Sequence, residues 1–267
     1  MLHFPQLISG AVSQYPVVKR LLRRTVVTTL ADGTVWKLGD AAAKAVSWKL
    51  DYHGLTSTEA DAVSSLFEAT EGRLGQFTFV DPTDNLLGGS EDLAQAPWTL
   101  DRMIEIAANI QDPEGSSRAS RITNNGQADQ KVQQTIDAPA QLQYCFNFYV
   151  RSDYAIAVRA VVGAGAASVV RSFPLTRAWS RVVYPVQLAV EADSVTFGVV
   201  LDGGLTIDVF GMQVEAQAAP SKYKPAYGQG GVYPRARFDE DEIAVTADGP
   251  GRYSCSLRIV AGLGGLT

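Results

Sequence analysis

Between residues 90 and 225 no amphipathic run is long enough to make a helix, and this absence constrains the fold more than any motif. The segment instead breaks into short apolar-alternating stretches separated by turn residues. Strands are predicted over Met103–Ala108, Arg118–Thr123, Lys131–Ile136, Leu142–Arg151 and Ala155–Val162. The series continues over Ala167–Phe173, Arg181–Val190, Val195–Leu201 and Leu205–Val214. Asn124-Asn125-Gly126, Gly163–Gly165 and Asp202-Gly203-Gly204 fall between strands as hairpin turns. Tyr144, Phe146, Phe148 and Val150 alternate with other residues, as do Val195, Phe197, Val199 and Leu201. Regular short strands without helices predict an antiparallel β-sandwich, most economically a jelly roll.

The flanks read differently. Thr56 and Glu59 have capping-box spacing, and Ala60, Val63, Leu66 and Phe67 follow at helical spacing. Gly72 and Gly75 stop that helix, and Phe77 to Val80 is a strand ended by Asp81-Pro82. Upstream, TVVTT and TVWKL surround Asp32-Gly33, which predicts a hairpin with a two-residue turn. Ala45 to Tyr52 is a further strand, with Val46, Trp48 and Leu50 on one face. Ala216 to Gly231 is rich in Pro, Gly and small residues and reads as an exit linker. Beyond it strands resume over Val232–Phe238 and Glu242–Thr246, then, after an Asp248-Gly249 turn, over Tyr253–Val260. Such a tail cannot bury its apolar face alone, because an isolated hairpin is marginal in water. It must add to the N-terminal sheet. The expected fold is therefore mainly β: a discontinuous small sheet or barrel platform with one helix, residues 1–88 plus 226–267, and an inserted sandwich, residues 89–225. An insertion of this kind costs little loop entropy if its ends lie close together.

Composition excludes several classes of function. With 46% apolar and 19% charged residues the chain is globular, and 23 basic against 28 acidic residues leave no nucleic-acid footprint. No membrane span is expected, and MLHFPQLISG lacks the basic and apolar regions of a signal peptide. Two histidines, His3 and His53, are too few and too far apart for a zinc site or a histidine-based triad. Cys145 and Cys255 lie in different predicted domains and read as two buried thiols, with a disulfide as the alternative. Gly163 to Ser168 leads into a strand, whereas a phosphate loop must open a helix. Asp239, Glu240, Asp241 and Glu242 lack the alternate spacing of a calcium loop and read as a solvated turn. No enzyme is expected.

Two groups of residues remain. Sugar sites set flat aromatic rings against a pyranose while Arg, Asp, Asn or Gln read its hydroxyls. Trp98, Tyr149, Arg151, Tyr154 and Arg159 are the candidates, with Trp179 assigned to the core. Tyr149 and Arg151 alternate with the core positions and face outward, toward either a glycan or a protein partner. Arg20, Arg23 and Arg24 are candidates for an oligomer interface with acidic residues of a neighbour, against the alternative of a charged strand edge that discourages pairing.

The stretches FPQLISGAVSQYPVVKR, LFEATEGRLGQFTFVDPTDN and RFDEDEIAVTADGPGRYSCSLRIVA resemble the platform of tailed-phage distal tail and related minor tail-tip proteins. LTRAWSRVVYPVQL and LTIDVFGMQVEAQAAPSKYKP are similar to the jelly-roll carbohydrate-binding-type modules that such proteins carry as insertions. The resemblance implies a structural protein of the virion, assembled in the host cytoplasm. Its partners would be copies of itself in a ring, commonly a hexamer, together with tail tube, hub and other tail-tip proteins, and host-surface carbohydrate. No cofactor is implied beyond a structural calcium in the insert, for which Asp208 is the candidate ligand and Glu105 a guessed partner. A lectin-like protein whose sheet is only a mount is the alternative.

Overall fold

The computed structural model describes residues 1–263 and contains one helix and sixteen strands among them. In chain order these are β1 (Val18–Thr29), β2 (Val35–Leu55), α1 (Ser57–Ala69), β3 (Phe77–Val80), β4 (Thr99–Leu100) and β5 (Ile104–Ile110). Then come β6 (Ala119–Asn124), β7 (Gln130–Ile136), β8 (Tyr144–Arg151), β9 (Ala157–Ala164), β10 (Ala167–Pro174) and β11 (Ser180–Val186). The last five are β12 (Val195–Leu201), β13 (Thr206–Glu215), β14 (Val232–Phe238), β15 (Val245–Gly249) and β16 (Arg252–Gly262). They form two compact units. One comprises Met1–Leu7, Ser13–Phe79 and the chain from Tyr233 onward; the other comprises Ile8–Val12 and Val80–Val232.

The first unit is built on a sheet of order β1-β2-β16-β14-β3, with β15 added to β16. The C-terminal strand β16 runs antiparallel to β2 from Ala45 to Leu55, so the two ends of the chain share one sheet. Val46, Trp48, Leu50 and Tyr52 point to one face of β2 and are buried, as strand alternation requires. Trp48 packs on Phe79 with ring centroids 4.8 Å apart, and Phe238 meets Phe77 at 5.0 Å and Phe67 of α1 at 5.1 Å. Helix α1 begins in the capping box: the Glu59 N–H donates to Thr56 Oγ1 at 3.3 Å, and the Thr56 N–H donates to Glu59 Oε2 at 2.9 Å. It ends where the Gly72 N–H reaches back to the Phe67 carbonyl at 3.0 Å, with Gly72 at φ +64°.

Three details differ from the sequence expectation. The hairpin between β1 and β2 does not turn on two residues. The Gly33 N–H donates to Leu30 and the Leu30 N–H to Thr34, with Gly33 alone at positive φ, the longer loop in which a single left-handed glycine closes the strands. The hairpin strand and the Ala45–Tyr52 strand are one continuous β2, irregular where Leu22 faces Ala45 but Arg24 faces Asp40. The C-terminal turn lies later than Asp248-Gly249: Gly249 pairs with Arg252, leaving Pro250-Gly251 as the turn, with Gly251 at φ +66°.

The second unit is a β-sandwich of two antiparallel five-stranded sheets, β10-β9-β12-β7-β4 and β11-β8-β13-β6-β5. From β7 to β13 the chain crosses repeatedly between the sheets, which is the wrapping of a jelly roll. Phe146, Phe148, Val150, Ile122 and Val209 of one sheet bury against Val132, Val162, Phe197 and Val199 of the other. Residues 216–231 contain no strand, yet they are not a loose linker. The buried Glu215 carboxylate accepts from the Ser221 N–H at 2.8 Å, from Ser221 Oγ at 2.6 Å and from Lys224 Nζ at 2.9 Å. The Lys224 N–H also donates to Gln213 Oε1 at 2.7 Å. Polar side chains of β13 thus strap this segment onto the sandwich, an arrangement its composition does not announce.

Candidate functional site

The sheet β11-β8-β13-β6-β5 turns alternate side chains away from the core. On β8, Phe146, Phe148 and Val150 face inward, so Asn147, Tyr149 and Arg151 face outward. On β13, Asp208 and Phe210 lie opposite Arg151 and Tyr149. A strict alternation would then turn Met212 and Val214 outward. An extra residue between Phe210 and Gln213 breaks the register instead, so that Gln213 pairs with Asn147 and the apolar Met212 and Val214 stay buried. Gly211, at φ +65°, takes that bulge, and a Cβ there would lie 3.1 Å from the Tyr223 ring.

Two rows of side chains cross this outer face. In the first, Asp208 stands directly between Arg121 of β6 and Arg151 of β8. Arg121 Nε donates to Asp208 Oδ1 at 2.7 Å and its Nη2 to Oδ2 at 3.1 Å; Arg151 Nε donates to Oδ2 at 3.0 Å. The Arg151 guanidinium also stacks on Trp179, 4.7 Å from the ring centroid. Hydrogen bonding to Asp208 raises the Arg121 pKa, so its charge is fixed. Arg121 and Arg151 keep 42% and 28% of their side-chain surface exposed while Asp208 keeps 6%, so the guanidinium edges are what solvent meets. Beside this row a shallow cleft is lined by Arg121, Ser152, Asp153, Tyr154, Thr206, Ile207 and Asp208. Tyr154, 74% exposed, forms its aromatic wall.

The second row is occupied from within. Arg181 stacks on Tyr149 at 5.4 Å, Tyr149 meets Phe210 at 6.1 Å, and Tyr223 of the strap covers Phe210 at 5.0 Å. Arg181 donates to Asn147 Oδ1 at 2.7 Å and to the Ser221 carbonyl at 2.6 Å. Arg118 closes the other side of Phe210 at 4.7 Å and is held by Asp112 at 2.7 Å and Glu114 at 2.8 Å.

The sequence candidates therefore divide. Arg151 belongs to the open row and Tyr154 to the cleft next to it, whereas Tyr149 sits under the Arg181 stack. Trp98 is buried, with its Nε1 donating to the Gly89 carbonyl at 2.9 Å, and offers no ring face to a ligand. Arg159 lies on β9 in the opposite sheet, paired with Asp129 at 2.8 Å and with Asp202. Trp179, assigned to the core from sequence, is half-buried beside Arg151. Asp208, the candidate calcium ligand, has both its oxygens engaged by the guanidiniums of Arg121 and Arg151. Glu105 instead accepts from Asn125 at 2.9 Å, and the described residues contain no group of three or more His, Cys, Asp or Glu able to hold a metal. Arg121 was not foreseen. Its role depends on facing Asp208, a register that pairs residues far apart in the chain. Arg20, Arg23 and Arg24 lie on β1, all exposed and without a carboxylate partner among the described residues.

No protein-family model matches the chain, and no curated protein matches it. Among solved structures, the enzymatically active domain of tailspike protein 4 from bacteriophage CBA120 is 14% identical, with 51% of this chain and 22% of that chain covered and a TM-score of 0.41. A family 61 carbohydrate-binding module in complex with β-1,4-galactotriose is 14% identical, covering 49% of this chain and 97% of the module, with a TM-score of 0.39. The xylan-binding domain of Xyn10C from Paenibacillus barcinonensis is 10% identical, covering 52% of this chain and 97% of the domain, with a TM-score of 0.42. Among the described residues no helix is long and apolar enough to cross a membrane.

Proposed function

We propose that the chain is a structural subunit of a phage-type tail tip, of the distal tail or minor tail kind. Its sheet platform joins copies into a ring, and its sandwich contacts host-surface glycan. The protein would then reside in the virion tail, with tail tube and hub proteins as neighbours. The observation that carries the reading is the open row Trp179, Arg151, Asp208 and Arg121 with Tyr154 beside it. Arginines held rigid by a buried carboxylate present N–H donors at no further ordering cost, and a fixed donor array next to an aromatic face suits a pyranose. The platform part rests on the resemblance of the N- and C-terminal stretches, which meet in one sheet.

The test is a titration of the full chain with neutral and uronic-acid-bearing oligosaccharides from bacterial surface polysaccharides, followed by tryptophan fluorescence, beside native mass spectrometry without ligand. Oligomers together with a fluorescence change lost in Trp179→Ala support the whole reading. A monomer that binds glycan leaves a lectin-like protein, and no binding to any member of the panel removes the glycan role.

A further inference from the structure

Every residue from Arg20 to Gly39 is exposed, across most of β1, the turn and the first part of β2. This ribbon is not polar. Leu21, Val27, Trp36 and Leu38 keep 68%, 57%, 66% and 72% of their surface in water. Val26 faces Leu38 and Thr28 faces Trp36 on one side; Val27 faces Lys37 and Thr29 faces Val35 on the other. A two-stranded ribbon without a packed face is marginal by itself, and solvated aromatic and aliphatic pairs do not stabilise it. Its charge is also one-sided. Residues 19–44 carry Lys19, Arg20, Arg23, Arg24, Lys37 and Lys44 against only Asp32 and Asp40, in a chain whose net charge is −5.

The complementary surface is on the same unit. Asp239, Glu240, Asp241 and Glu242 line an open concavity with Arg73, Ala244 and Ser256. Arg73 neutralises Asp241 at 2.8 Å and Arg258 approaches Glu240 at 3.4 Å, whereas Asp239 and Glu242 have no cationic partner among the described residues. We infer that the β1–β2 ribbon is an arm that docks on the acidic concavity of a second copy of this chain. The basic base of the arm meets Asp239 and Glu242, and Trp36 and Leu38 are covered in the contact. Repeated head-to-tail, with each copy giving an arm and receiving one, such a contact closes into a ring where the rotation between copies allows and runs on as a filament where it does not. This inference rests on the self-assembly part of the proposed function and adds to it the surfaces that meet.

Two charge-reversed full-length chains test it, R20E/R23E/R24E and D239K/E242K, both altered only at exposed positions. Sedimentation velocity is run on each alone and on their equimolar mixture, with circular dichroism confirming the fold. The wild type is expected to form oligomers, each variant to raise the dissociation constant at least tenfold, and the mixture to return within threefold of wild type. Recovery on mixing is specific to a contact between the arm of one copy and the concavity of another, because each reversed arm then finds a reversed concavity. Wild-type oligomers that neither reversal weakens overturn the arm while the ring reading stands. A wild type that stays monomeric at all concentrations overturns both.

Discussion

Lys224 Nζ lies 2.9 Å from the carboxylate of Glu215, nine positions earlier in the chain, and that carboxylate is buried. The pair fastens residues 216–227 across the outer face of the sandwich. Replacing Glu215 by Ala removes acceptors from Gln213, Ser221 and Lys224 together. Breaking a buried pair by deleting one partner costs about 3–5 kcal/mol. Glu215→Ala should therefore release the strap, read as faster tryptic cleavage after Lys222, since the bond after Lys224 leads into Pro225 and resists trypsin. Glu215→Gln, which keeps the shape and one of the two acceptor oxygens but not the charge, should be cleaved at an intermediate rate. Equal cleavage in all three proteins would show that the strap is held elsewhere.

The platform helix is set by two local signals. Thr56→Ala loses the cap and should lower stability by about 1 kcal/mol. Gly72→Ala meets a left-handed φ of +64° and, in addition, a Cβ position 2.9 Å from the Asp241 carboxylate. It should cost about 1–2 kcal/mol. Thermal melts of the two variants should rank Gly72→Ala as the less stable, and the reverse order would show that the left-handed backbone and the Asp241 approach together cost less than the lost cap.

Cys145 and Cys255 are free thiols in separate units. Burial, reinforced by the Glu215 charge, pushes Cys145 up to about 12, and burial pushes Cys255 up to about 11. At pH 8 roughly one thiol in a thousand or fewer is then ionised, and the thiolate is the reactive form. Ellman's reagent should leave the native protein unlabelled at pH 8 and titrate two thiols in denaturant. Rapid native labelling of one thiol would expose an opening of its sheet.

The fold was legible wherever local chemistry decides it. The Thr56–Glu59 box, the Phe77–Val80 strand and the Val195–Leu201 strand carry their own caps, periodicities and breakers. Boundaries drifted where the deciding contact is remote: β5 extends to Ile110 because it pairs with β6, and β2 runs unbroken because β1 stays alongside it. The site was legible in residue type and only partly in place. Arg151 could be assigned outward from strand alternation. Trp179 could not be removed from the core, nor Trp98 placed in it, because ring exposure is decided by which strand end or loop covers it. The bulge at Gly211 leaves no trace in an alternation pattern, yet it decides which face Gln213 and Glu215 occupy.

Asp112 gives the sandwich a response to acid whose sign can be worked out. Burial raises its pKa, but hydrogen bonds from Arg118 and from the Glu114 and Ser116 N–H groups outweigh burial, and the net shift is downward. A carboxylate whose folded pKa lies below its unfolded value stabilises the fold above the unfolded value, near 3.9. That stabilisation fades as pH falls through the folded value. Arg118→Ala removes the guanidinium at 2.7 Å and leaves the burial, so the folded pKa rises and the stabilising difference shrinks or reverses. The acid-unfolding midpoint of Arg118→Ala, followed by near-ultraviolet circular dichroism, should move to higher pH than that of the parent. Arg118→Lys should fall between the two, because an ammonium restores charge but not the paired N–H donors that hold Asp112 and Glu114 together. A midpoint unchanged in Arg118→Ala would mean that the loop N–H groups alone set the ionisation of Asp112.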